Sequence, residues 1–234
     1  MIDRTQTCPQ RTGLCFYNFK HMSLGFVILT NIIGFFPLFL YLVKKRKLLK
    51  EIDFVVPLLW LVAIASFYEL VVTLLFRIST KYWFRLYLLL EFCVLFYFFY
   101  KLFSGRYKYL FRVFGIGYLL TFLGLLFVWD VWSNLSTDSY LSTFESIFVF
   151  TFSFLWFRDL FTNLQLKSLW QSPTFYIISG LILYFTGTLF LFLLSDVIYS
   201  NKAIKFEDYW MLNVLFCFVF RLFLIISVWK GQVK

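Results

Sequence analysis

The chain has 234 residues, of which 62% are hydrophobic and 25% aromatic, well above the roughly 45–50% apolar content of soluble domains. Its formal charge of +10 lies in short gaps beside apolar runs, where Lys and Arg fix orientation and meet anionic headgroups, so the basicity does not point to nucleic acid. A water-soluble globular domain is excluded, and the expected fold class is all-α: a polytopic integral membrane protein whose first partner is the lipid bilayer.

Residues 1–22 read as a polar tail placed outside the cell, where Cys8 and Cys15 are either bridged or free thiols. The first apolar run, 23–43, ends in Lys44-Lys45-Arg46-Lys47 and lacks a small-residue cleavage site. It therefore reads as a retained span rather than a removed signal peptide, with Met22 an alternative start. Pro37 within it predicts a kink. Six further runs follow at 54–76, 84–103, 110–130, 140–160, 174–197 and 209–229. Each is long enough, at about 1.5 Å per residue, to cross roughly 30 Å of hydrocarbon. The gap from Arg77 to Lys81 predicts a tight hairpin between the second and third runs, and Pro173 opens the sixth where a missing N–H does no harm. Together they predict one seven-helix transmembrane domain over 23–230, with a cytoplasmic end at 231–234 and no stretch large enough for a soluble catalytic domain.

Orientation follows from the basic residues. With the N-terminus outside, Lys44 to Lys47, Lys50, Lys101, Arg106, Lys108, Arg112, Arg158, Lys167, Lys230 and Lys234 fall in the cytoplasm, against fewer on the other face. An N-out, C-in topology is expected. Trp and Tyr at the run ends, among them Trp83, Trp129, Trp170 and Trp229, fit interfacial belts.

Hydrocarbon should exclude Glu69, Glu91, Glu145, Asn213 and Arg221, and each lies within an apolar run. A charged group at the bilayer centre costs about 2.5–3.5 kcal/mol on insertion scales and normally faces the bundle interior beside a partner. Under the N-out topology the three glutamates sit roughly 7–11 Å below the outer surface, and Asn213 enters at a similar level. Asn31, Thr121, Thr186 and Thr188 reach nearby levels. This predicts a polar, acidic cavity opening outward, with Glu69, Glu91, Glu145, Asn213, Arg85 and Tyr184 as candidate ligand-binding residues for a small cation or amine. The competing reading is that these groups only tie helices together through interhelical hydrogen bonds. Arg221 either snorkels inward or pairs with a buried acceptor. Arg158-Asp159 reads as a solvated interfacial pair, and the aromatic runs 92–103 and 148–161 as mostly lipid-facing and packing surface.

Several chemistries are disfavoured. The single His21 lies in the tail, so no run offers a histidine metal cluster, and the serines lack a His partner for nucleophilic catalysis. The residues give no reason to expect a cofactor, a metal or a named catalytic group. A carboxylate-based, lipid-modifying enzyme using the glutamates as acid and base stays open.

Leu90-Glu91-Phe92 with its following aromatics, Phe144-Glu145-Ser146, and Pro173-Thr174-Phe175 leading into Ser179-Gly180 and Tyr184-Phe185-Thr186-Gly187 resemble small seven-helix membrane proteins and sensor modules of bacterial signalling systems, of the Bacteroidetes type. The resemblance implies the input half of a histidine kinase, located in a bacterial inner membrane. No kinase follows before Lys234, so it also implies a separate signalling protein at the cytoplasmic face. The leading expectation is thus a sensor or accessory module that binds a small ligand or cation. The alternatives are a small proton- or cation-coupled transporter and the lipid-modifying enzyme.

Overall fold

In hydrocarbon no water is present to satisfy a free N–H or C=O, so an apolar run closes its own backbone bonds as a helix. The computed structural model describes residues 21–44, 50–76, 81–128, 134–163, 169–200 and 206–232. Among them the regular structure is helical. The elements are α1 (His21–Lys44), α2 (Lys50–Asp53), α3 (Val56–Phe67) continuing directly into a π-helix (Tyr68–Leu75), α4 (Lys81–Leu102), α5 (Lys108–Val128), α6 (Asn134–Asn163), α7 (Pro173–Ser200) and α8 (Phe206–Lys230). The tail with Cys8 and Cys15, the run Lys45-Arg46-Lys47 and the gap from Arg77 to Thr80 lie outside the described residues.

Six helices, α1 and α4 to α8, carry apolar stretches of 19 to 24 residues, long enough to cross a bilayer. This is a multi-pass membrane protein. The second run expected over 54–76 is not one uniform helix. Pro57 sits in the first turn of α3, where its absent N–H is harmless. Two residues before the π-helix begins, the Ser66 hydroxyl donates to Val62 O at 2.8 Å, a back-bond that loosens and bends helices. At its far end Phe76 N donates to Val71 O, five residues back, at 3.2 Å. Such π segments are rare and concentrate at functional positions.

Around the bundle, α1 packs against α8, α8 against α7, α7 against α6, α6 against α4, α4 against α3, and α3 back against α1. Helix α5 lies outside this ring against α6 and α4; it buries the smallest share of its apolar stretch and so presents most of its surface to lipid. At one end of the ring α2 folds under the bundle, with Ile52 and Val55 buried and the Tyr41 hydroxyl donating to Asp53 at 3.3 Å. At the same end the Ser227 hydroxyl of α8 donates to Pro173 O at the start of α7, at 3.0 Å.

The aromatic runs turn inward more than the sequence suggested. Phe92, Phe98, Phe99, Phe103, Phe148 and Phe152 are buried, whereas Tyr97, Tyr100, Phe154 and Phe161 are exposed. The rings of Phe92 and Tyr118 stack with centroids 3.7 Å apart, and those of Phe111 and Phe152 with centroids 4.1 Å apart. Helices α7 and α8 approach most closely of all. A Cβ on Gly180 would stand 2.7 Å from Phe223, and one on Gly187 would stand 2.4 Å from the Phe216 ring. The glycines are spaced by seven residues and so are the phenylalanines, in opposite order, so an antiparallel pair seats two rings in two glycine notches.

Candidate functional site

The polar groups that apolar runs should not contain collect in two clusters inside the ring. In the first, α8 delivers Arg221, which is 7% exposed and ten residues into an apolar stretch that begins at Met211, hence roughly 15 Å deep. Its Nη1 donates to the backbone O of Thr30 and, at 3.0 Å, to Asn31 Oδ1. Asn31 is buried in α1 and also hydrogen-bonds Glu69, which stands within electrostatic reach of Arg221. With Oδ1 occupied by the guanidinium, the amide N–H of Asn31 is the donor left for the carboxylate. The amide therefore couples cation to acid. Gly34 makes room for this meeting: a Cβ there would fall 2.1 Å from Ser66 Oγ and 3.2 Å from Arg221 Cζ. Glu69 itself is exposed, at the second position of the π-helix.

The second cluster is deeper in the bundle. Glu91 of α4 is buried and accepts a hydrogen bond from the Tyr87 hydroxyl at 3.2 Å, with Tyr184 of α7 as a second hydroxyl donor. Glu145 of α6 is 1% exposed. It lies within electrostatic reach of Glu91, and neither of its carboxylate oxygens has a hydrogen-bond partner. Tyr118 of α5 reaches in beside both acids, but its hydroxyl is already committed to Leu88 O at 3.0 Å. Cys217 of α8 lies between the clusters, in the field of Arg221, Glu69 and Glu91, and hydrogen-bonded with Tyr184. From Glu69, Asn31 and Arg221 through Cys217 and Tyr184 to Glu91 and Glu145, polar groups thus stand within electrostatic reach of one another.

The structure therefore divides the expected single layer of three glutamates. Glu91 and Glu145 lie within electrostatic reach of one another and of Tyr184, while Glu69 pairs with Asn31 and stands near Arg221. Asn213 is half-buried on α8, eight residues from Arg221 toward the opposite end, and the described residues give it no partner in either cluster. Arg85 is half-buried on α4, six residues before Glu91. The hydroxyls of Thr121 and Thr188 are spent on their own helices, donating to Gly117 O at 2.9 Å and Tyr184 O at 2.9 Å, and Thr186 is exposed. Arg221 pairs with buried acceptors rather than snorkelling.

Sequence reasoning offers Tyr87 as a hydrogen-bond partner for the buried acids, and the structure places it on Glu91; it precedes Glu91 by four residues and so shares its helix face. Tyr118 and Cys217 were not singled out for the site; they approach from other helices, and no local signal marks them.

An ionised carboxylate such as Glu145, buried without a donor, is costly in any low-dielectric setting, and a bound proton or cation removes that cost. Two acids with two tyrosine hydroxyls offer oxygen ligands of the kind hard cations prefer. Among the described residues no group of three or more His, Cys, Asp or Glu is placed to hold a metal ion. No family model, no curated protein and no solved structure matches the chain.

Proposed function

We propose that this protein is a seven-span membrane sensor or accessory module that binds a proton or a small cation, an amine included, between Glu91 and Glu145. In this reading α3 and its π-helical continuation, 20 residues from Val56 to Leu75, form the seventh crossing. The N-terminus is outside, and the end carrying Lys44, Lys101, Lys108 and Lys230 is cytoplasmic. The observation that carries the proposal is the buried pair of acids, one hydrogen-bonded by tyrosine and the other with both oxygens unpartnered.

Occupancy of the pair acts on helix position. Neutralising Glu145 draws α6 toward α4 through Glu91 and toward α7 through Tyr184, and the ligand shifts the balance by as much as its affinities for the two arrangements differ. A separate cytoplasmic partner would read the shift, as the resemblance to bacterial sensor modules implies, with the bacterial inner membrane as the location. The test is unfolding of the detergent-solubilised protein across a series of Na+, K+ and organic ammonium concentrations. A concentration-dependent stabilisation in the parent, absent in both Glu91→Gln and Glu145→Gln, supports the site. Identical responses in all three proteins would end it.

A proton- or cation-coupled transporter is the second reading, favoured by the succession of polar groups from Glu69 to Glu145 and by the π-helix at Glu69, since transporters place coupling sites beside broken helices. Ion flux in proteoliposomes separates the two, because a sensor binds without transport. The lipid-modifying enzyme gains less support. A cleft among the described residues lies at the end of α4 and α6, beside Arg106 and Asp159 rather than beside the glutamates.

A further inference from the structure

A second constellation stands apart from the glutamates, where α4 passes into α5. The chain reverses through Ser104 at φ 48° and Gly105 at φ 75°. Any side chain at Gly105 would be strained at that φ, and its Cβ would lie 3.1 Å from Lys108 Cε, so glycine permits the turn that carries Arg106 over the end of α6. There Arg106 Nη1 stands 2.9 Å from Asp159 Oδ2, and Arg158 Nη2 stands 3.3 Å from Asp159 Oδ1. Tyr107 donates its hydroxyl to the same carboxylate at 3.3 Å and accepts a hydrogen bond from Arg158, whose guanidinium lies 6.0 Å over its ring.

Asp159 thus holds two arginines in place while both stay open to the outside, their side chains 63% and 60% exposed. One carboxylate between two guanidiniums leaves one positive charge unmatched within the cluster. Beside it opens a cleft of about 290 Å³ whose apolar wall is Leu102, Phe103, Trp156 and Leu160. A charged lip above an apolar wall is amphiphilic. It also lies where the apolar stretches of α4 and α6 end, at Leu102 and Thr162, which is headgroup level for a spanning helix.

We propose that this cleft binds an anionic phospholipid, with the phosphodiester between Arg106 and Arg158 and the upper acyl chain along Trp156 and Leu160. A single negative charge completes the cluster, and the fork of donors on guanidinium matches phosphate oxygens. Lys101, Lys108 and Arg112 are exposed nearby and add attraction toward an acidic leaflet. The apolar wall argues for lipid over free phosphate, which has no use for it.

The test is native mass spectrometry of the full chain in detergent, titrated with phosphatidylglycerol or phosphatidylcholine. Phosphatidylglycerol is expected to be retained in preference. At about 1 kcal/mol per basic residue near a membrane surface, R106Q and R158Q should each weaken it about fivefold, and the double variant about 25-fold. K230Q, which removes an exposed charge at the corresponding end of α8, should leave binding unchanged. The single variants, each keeping one arginine on Asp159, carry the test if the double variant does not fold. Parent-like retention in R106Q and R158Q, an equal loss in K230Q, or full displacement of the lipid by inorganic phosphate would overturn the proposal.

Discussion

Replacing Glu145 by Met should make the protein more stable while removing its response to cations. The side chain is 1% exposed, and both carboxylate oxygens lack a donor. Each buried polar atom left without a partner costs about 1–3 kcal/mol, so the two oxygens together cost about 2–6 kcal/mol, less whatever a bound proton or ion returns. Met has similar length, no polar atom to satisfy and a flexible thioether suited to the aromatic surroundings of Tyr118 and Phe148. Exchanges of buried charge for well-packed apolar groups commonly gain about 1–4 kcal/mol, and about 2–3 kcal/mol is expected here. Denaturant titration of the detergent-solubilised protein, followed by loss of helical signal, measures it. Saturating ligand at about 100 times its Kd should stabilise the parent by about 2.7 kcal/mol, and should leave the Met variant where it was. A Met variant less stable than the parent by about 1 kcal/mol or more would refute the reasoning, because Glu145 would then be holding helices together.

Four further outcomes follow from the packing. Gly187→Val places branched carbons where even a Cβ would stand 2.4 Å from the Phe216 ring; overpacking of this kind costs about 1–3 kcal/mol, and Phe216→Ala in the same chain should recover part of the loss in unfolding measurements. Arg221→Met removes the guanidinium's bonds to Thr30 O and Asn31 Oδ1, with an expected cost of about 1.5–3 kcal/mol for each charged hydrogen bond lost. Asn31→Ala added to it should cost little more, since both act through one network, and a double-mutant cycle reads the coupling. Tyr118→Phe keeps the stack on Phe92 but deletes the bond to Leu88 O, for about 0.5–1.5 kcal/mol by denaturant titration. Reporter fusions after residue 128, between α5 and α6, and after Lys234 should report outside and cytoplasm respectively if α3 and the π-helix together cross the bilayer.

The two clusters also explain how so small a bundle tolerates its charges. Arg221 donates to Thr30 O and Asn31 Oδ1 and stands within electrostatic reach of Glu69, which keeps a cation deep in α8 at modest cost. Glu91 is satisfied by hydroxyls from α4 and α7. Glu145 has no such donor for either oxygen, and that local conflict is the kind of violation expected at a functional site.

That the apolar runs are helices was legible in the chain itself. Oil leaves the backbone no partner but itself, and Pro173 and Lys44 marked ends through local chemistry alone, whereas the division of the second run into α3 and a π-helix carried no such mark. That Glu91 and Glu145 would turn inward was equally readable, because the cost of facing lipid depends on depth and residue type, whereas Arg221 could as well have snorkelled to the interface. Which of them would meet was not readable. Rotation of a helix about its axis moves a side chain to another neighbour without changing any local pattern, and that rotation is set by notches such as Gly34, Gly180 and Gly187 receiving Ser66, Phe223 and Phe216. The change to a π-helix at Tyr68, just before Glu69, likewise carries no mark in the local sequence pattern. Tertiary packing alone decided that three acids would divide into a pair and a separate glutamate beside Asn31 and Arg221.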